Sequence, residues 1–270
     1  CVMMAGDERQ HRIDMLPWQD LEPGALTTDA VIVPIGCVEP HGHHAPLGTD
    51  TFIATGIADL VAQATGALVF PAIPLGTLDV LYDFKSAPGA ISLDNKLLIE
   101  LYTNIGTELI RQGFKRILFV NGHSGNAPLL QIAAFEVKDR AGGQAAVLDW
   151  WSSAKDVIDE IKGHSWGTHA DEIETSILMA AAGEHLIDLS KAVVNSAGLE
   201  DLGDDERSLY QQKITFTRVL DQRWVGCSGN MGDPTLATVE HGHRILAKVV
   251  EVAGQILSVM DEQAKHEAKL

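Results

Sequence analysis

The chain has 270 residues, 46% of them hydrophobic, with 20 basic against 37 acidic side chains and a formal charge of −17 at pH 7. That is enough apolar material for one large α/β domain or two small ones, and the acidic balance works against nucleic acid and anionic membranes while suiting small or cationic ligands. Three scattered cysteines (Cys1, Cys37 and Cys227) with no CxxC pair exclude a disulfide framework and make a reducing cytoplasm the expected setting.

The first residues turn acidic before any apolar stretch and do not read as a secretory leader. No apolar run approaches the roughly 20 residues of a membrane span. Further on, short β-branched runs alternate with longer helical patterns, which points to stacked βα units and a mainly parallel sheet. Residues 31–35, Val-Ile-Val-Pro-Ile, read as a first buried strand ending at Gly36, and a histidine-rich loop follows to Asp50. Phe52, Ile53, Ile57, Leu60 and Val61 then recur at helical spacing over residues 51–64. A second strand is expected over residues 68–73.

Asp94 is placed to cap a helix reaching Gln112, with Gly113 as its stop signal. Residues 116–120 form the next expected strand, and Asn121-Gly-His-Ser-Gly-Asn126 the loop at its carboxyl end. A helix from about Pro128, a strand over 145–148 and a helix over 172–181 follow. Asp233-Pro234 reads as the cap and first turn of a last helix with Leu236, Val239, Ile245, Val249 and Val250 on one stripe, weakened by Gly242. Residues 196–225 are polar and without clear period, an irregular lid or oligomer contact.

Parallel α/β sheets gather ligands at the carboxyl ends of their strands, and two loops there carry the most reactive side chains. In the first, Glu39 and His41 are two apart, so an extended backbone projects both to one side. Gly42, Pro46 and Gly48 can return Asp50 toward them. Imidazole with hard carboxylates suits Zn²⁺, Mn²⁺ or Fe²⁺, and a carboxylate such as Asp50 can bridge two ions. The second loop presents His123 between Gly122 and Gly125. A third cluster, His169-Ala-Asp-Glu-Ile-Glu174, flanks a helix start. It offers either an imidazole and a carboxylate for chemistry or a capping segment.

Five segments in order resemble the creatininase family, which also contains formamide deformylases of cofactor biosynthesis. They are residues 34–50 (Pro-Ile-Gly-Cys-Val-Glu-Pro-His-Gly-His-His-Ala-Pro-Leu-Gly-Thr-Asp), 87–93 (Ala-Pro-Gly-Ala-Ile-Ser-Leu), 121–126, 169–176 (His-Ala-Asp-Glu-Ile-Glu-Thr-Ser) and 232–240. The resemblance covers roughly residues 16–256 and implies one domain over 1–270, a three-layer α/β/α fold and a homo-oligomer, often a hexamer. It implies one or two divalent ions per chain (Zn, Mn or Fe), with Glu39 and His123 on one, His41 on the other and Asp50 bridging. Glu174 would complete the centre and serve with His169 in proton transfer, His169 toward the leaving group. Trp150, Trp151 and Trp166 fall where creatininase covers its substrate, although a core role suits one of the first two equally well.

Two departures bear on the substrate. Creatininase proper carries a Glu two residues after the His of the Asn-Gly-His loop and another directly before the later His. This chain has Gly125 and Thr168, which argues against creatinine itself. The implied reaction is hydrolysis of an amide-type C–N bond in a small cyclic amide or formamide. The alternatives are a C–C bond in an oxidised cyclitol or sugar-like diketone, and a family member that binds metal without catalysis.

Overall fold

A computed structural model describes residues 11–22, 25–78, 87–162, 169–195 and 228–267. Four strands form one parallel sheet: β1 (Ala30–Ile35), β2 (Leu68–Val69), β3 (Arg116–Asn121) and β4 (Gln144–Asp149), in the order β2-β1-β3-β4. Every residue of β1 is buried, which is why it reads as a continuous apolar run rather than an alternating one. Alternate residues still serve different layers. Ala30 and Ile32 join Leu118 and Val120 against α1 (Thr49–Thr65), α6 (Glu172–Ala182) and α7 (Val239–Glu267). Val31, Val33 and Ile35 join Ile117 and Phe119 against α2 (Asn95–Arg111) and α3 (Ala127–Ala141). The fold is therefore the expected three-layer α/β/α arrangement.

The register places Ile35 opposite Asn121, and Asn121 opposite Asp149. Three strands thus end on one line, and the loops beyond it open at a common edge. Asp94 caps α2 as expected, its carboxylate accepting from the Lys96 and Leu97 N–H groups. Asp171 caps α6 in the same way, through Ile173 and Glu174.

Three expectations need correction. The second strand stops at Val69, not Ile73. Pro34 has no N–H to donate, and the ladder skips from the Phe70 N–H on Ile32 to the Ile73 N–H on Pro34. Helix α1 begins at Thr49, so Asp50 stands in its first turn rather than on the loop, where the helix dipole favours a carboxylate. Asp233-Pro234 opens only the short 3-10 turn Pro234–Leu236. The long helix α7 is started by Thr238, whose hydroxyl accepts the His241 N–H at 3.1 Å.

Gly242 does not weaken α7 so much as permit its packing. A Cβ there would lie 2.0 Å from the Ser176 carbonyl oxygen, so α6 and α7 cross in backbone contact. The β4 strand leads into the short helices α4 (Trp150–Ser153) and α5 (Lys155–Ile161). Residues 196–225 lie outside the described residues.

Candidate metal centre

Past the end of β1 the backbone stays extended, and Val38 pairs with Ile91 in an isolated antiparallel bridge. Glu39 and His41 therefore leave on the side opposite Val38. Past β3, Asn121 anchors the second loop from both ends of its amide. Its Oδ1 accepts the His123 N–H at 3.1 Å, and its Nδ2 donates to Asp149 at 2.8 Å. Gly122 lets this loop touch the start of α1, since a Cβ there would sit 2.2 Å from the Asp50 carbonyl. Three separate elements thereby deliver Glu39, His41, Asp50 and His123 to one point, where none is more than 4% exposed.

The distances are those of a shared centre. His41 Nε2 lies 3.0 Å from Asp50 Oδ1, while His123 Nδ1 lies 3.3 Å from Asp50 Oδ2 and 3.0 Å from Glu39 Oε1. The Asp50 carboxylate thus turns one oxygen to each imidazole. Glu174 Oε2 approaches His41 Nε2 at 3.7 Å, and His169 Nδ1 is 3.8 Å from both Glu39 and Glu174. Donor atoms of Glu39–His41–His169, of His41–Asp50–Glu174 and of Cys37–Glu39–His123 each fall within 4.8 Å of one another. All the expected metal and proton-transfer residues therefore meet.

The outer hydrogen bonds orient each ring inward. His123 Nε2 sits 2.9 Å from the Thr77 carbonyl, His41 Nδ1 3.0 Å from the Glu39 carbonyl, and His169 Nε2 2.7 Å from the Pro40 carbonyl. A carbonyl only accepts, so each of these nitrogens carries the proton. The inner nitrogens of neutral rings are then bare lone pairs, as metal-ligating histidines require. Glu39 Oε2, His41 Nε2 and Asp50 Oδ2 are buried and make no hydrogen bond among the described residues. Buried polar atoms rarely go unsatisfied. Three of them converging on one space, with imidazole and carboxylate donors, fit a divalent cation.

Electrostatics agree. Burial pushes the His41 imidazole down, but the Asp50 and Glu174 carboxylates override it and raise its pKa to about 10. His123 is likewise raised well above the ordinary range, burial being outweighed by Glu39 and Asp50. Asp50 moves the other way, because the two imidazoles outweigh its burial. Glu174 is raised, chiefly by burial. In the absence of a cation, protons on the imidazoles balance the carboxylates, and a cation must displace them.

Gly125, where a second-metal Glu would stand in creatininase, has its own structural reason. A Cβ there would lie 2.6 Å from His123 Nε2 and 2.9 Å from the Thr77 carbonyl, the two atoms that bond to each other. Asn126 supports the same contact, accepting the Thr77 N–H and donating to the Gly36 carbonyl.

Other residues fall differently. Trp150 is 4% exposed and packs in the core with Ile173 and Leu246, so its ring fills the layer between sheet and helices. Trp151 packs against that cluster and meets the Trp150 ring edge-on at 5.7 Å. Trp166 and Thr168 lie outside the described residues. The sequence reading assigned nothing to His44, which is buried with Nε2 3.0 Å from the Thr175 hydroxyl. Burial, then His41 and His169, hold its pKa down to about 4. Thr77 was also missed, because a backbone carbonyl has no residue-type signal.

A parallel sheet with imidazoles and carboxylates converging at its carboxyl edge defines the class of α/β metal-dependent hydrolases. Residues 14–257 match the creatininase family model, described as creatinine amidohydrolase. The chain belongs to the creatininase family. It is 31% identical over 201 residues to a creatinine amidohydrolase of Pseudomonas putida, covering 66% of this chain and 74% of that one. It is 29% identical to a mycofactocin precursor peptide peptidase of Mycolicibacterium smegmatis, with 82% and 81% covered. A 3-dehydro-scyllo-inosose hydrolase of Thermotoga maritima is 30% identical over 58% of this chain and 52% of its own. A crystal structure of creatininase superposes with a TM-score of 0.79 at 24% identity, covering 93% and 98%, and a manganese creatininase with 0.77 at 25%, covering 92% and 98%.

Proposed function

We propose that the protein hydrolyses an amide-type C–N bond in a small cyclic amide, formamide or related compound. The observation that carries this reading is the convergence of Glu39, His41, Asp50 and His123, with three buried atoms that find no hydrogen-bond partner among the described residues, beside His169. Two of the relatives named above, the amidohydrolase and the peptidase, bear names of amide hydrolysis.

In this reading Glu39, Asp50 and His123 would hold one divalent ion, and His41, Asp50 and Glu174 would hold a second where both positions fill. Such ions supply Lewis acidity toward a carbonyl and acidify water near neutral pH. The chain's own groups do the rest. Exposure rises from His41 and Asp50, at 0% and 1%, to His169 at 7%, which puts His169 on the outer side of the cluster. The Pro40 carbonyl holds the proton on His169 Nε2, which turns Nδ1 toward Glu39 and Glu174, where it can pass a proton to the leaving nitrogen. Burial raises the Glu174 pKa, which suits it to accept a proton from the attacking water. The Ala170 N–H donates to Glu174 Oε2 at 2.6 Å and fixes that oxygen in place.

The test is a panel of lactams, formamides and short peptides beside cyclic diketones, run on protein whose metal content is measured by mass spectrometry. Amide turnover should dominate, and His169→Ala should keep the metal while lowering turnover by about 10²–10⁴-fold. Turnover of diketones alone would overturn the C–N reading. Full activity of His169→Ala would remove that residue's assigned role.

The Thermotoga relative's name keeps C–C cleavage as the second reading, and the diketone arm of the panel decides it. We further infer a homo-oligomer, which sedimentation would check.

A further inference from the structure

One buried thiol beside the centre has no part in the reaction described above. Cys37 stands two residues before Glu39 and four before His41, in the extended segment whose Val38 bridges Ile91 on the other side. The parity of an extended chain projects Cys37, Glu39 and His41 along one edge. The thiol is fully buried. Leu78 and Met231 pack against it, while its sulfur lies within 4.8 Å of donor atoms of Glu39 and His123.

Two atoms of the same buried cluster find no hydrogen-bond partner among the described residues: Glu39 Oε2, in the group with Cys37, and Asp50 Oδ2, which faces His123 at 3.3 Å; both residues are at most 2% exposed. A tetrahedral ion with one sulfur and several nitrogen or oxygen donors spaces neighbouring donors about 3.3–3.7 Å apart. His123 and Glu39 already stand 3.0 Å apart, so closing the set around a cation takes side-chain shifts of about an ångström.

We propose that the Cys37 sulfur is a protein donor to the cation held by Glu39 and His123. That position then carries a sulfur–carboxylate–imidazole set and prefers Zn²⁺ and Co²⁺ to Mn²⁺. Thiolate sulfur is a soft ligand and suits zinc, whereas carboxylate and water suit manganese. The proposal rests on the reading of this cluster as a metal centre. It adds an asymmetry: the position near Glu39 and His123 is soft, and the position near His41 and Glu174 is hard. The cation binds with loss of the thiol proton to solvent, so no oxidant or co-reactant is needed.

The experiment is a Co²⁺ titration of the full chain, stripped with chelator, followed by absorption spectroscopy. Cobalt on a thiolate gives a charge-transfer band in the near ultraviolet, apart from the visible d–d bands of any tetrahedral site. The decisive protein is the Cys1→Ser/Cys227→Ser double variant, in which Cys37 is the sole thiol of the three in the chain. It should keep both sets of bands. Cys37→Ser should keep the visible bands, lose the charge-transfer band and lose about tenfold of its preference for Zn²⁺ over Mn²⁺. Visible bands without charge transfer in the double variant would overturn the Cys37 assignment and leave the metal centre standing. Absence of all cobalt bands would overturn both. The double variant retains Cys37, so the result does not depend on Cys37→Ser folding.

Discussion

Two clusters of opposite charge in this protein look alike on paper and differ in purpose. On the outer helical layer, Arg140 of α3 reaches both oxygens of Glu100 at 3.1 and 3.0 Å and Glu136 at 3.0 Å, all at partly exposed side chains. There one guanidinium is shared by two carboxylates that stay open to solvent. At the sheet edge, Glu39, His41, Asp50 and His123 are buried, and three of their atoms find no hydrogen-bond partner among the described residues. Leaving such atoms unmet costs free energy, which a cation would recover. The surface cluster is complete in itself, and the buried one is built for a guest.

That contrast can be broken most forcefully at Asp50. Asp50→Ala removes the carboxylate that faces both imidazoles, and bound metal should fall to background. The loss should exceed the roughly 10–100-fold that changes behind a ligand produce; metal analysis after gel filtration checks it. Retention of a full metal complement would mean that Asp50 does not bridge. Gly125→Ala comes next. Its Cβ intrudes between His123 Nε2 and the Thr77 carbonyl, so affinity should drop about 10–100-fold by competition with a chelating dye.

A third test uses pH. In metal-free protein the His41 pKa is about 10, and that of His123 is also raised. Relative to unfolded imidazoles near 6.5, the protonated pair stabilises the fold fully below that pH. The contribution fades as pH rises toward 10. The melting temperature of metal-free protein should therefore fall between pH 7 and 10, and that of metal-loaded protein should fall less, by scanning calorimetry. The smallest effect is expected at the surface: Arg140→Ala should leave metal content and melting temperature essentially unchanged, since exposed ion pairs contribute little. A large loss there would erase the contrast.

Most of the centre was legible because its residues are chemically distinctive and closely spaced. Glu39 and His41 follow strand parity, His123 sits between glycines after a strand, and Asp171 caps a helix where a cap was expected. What escaped was set by contacts distant in sequence. The Thr77 carbonyl behind His123 is 46 residues away. The early stop of β2 depends on a proline in its neighbour. Trp150 was open between core and site from the sequence, since an aromatic ring serves either and only packing decides. Gly242 read as a weakness, because helix propensity knows nothing of the helix lying against it.

That last glycine also bears on the order in which the protein can be made. Helix α6 carries Glu174 in its first turn and follows His169 directly, and α7 clasps it at Gly242 and through the Thr238 N–H on the Ser176 hydroxyl at 3.0 Å. The ligands of the centre are all synthesised by residue 174, yet the helix that presents the last of them gains its clamp only when residues 238–242 arrive. The same late helix packs with β1, β3 and α1 in one core layer, so the inner ligands and the rim at Glu174 both await the last residues of the chain for their final support.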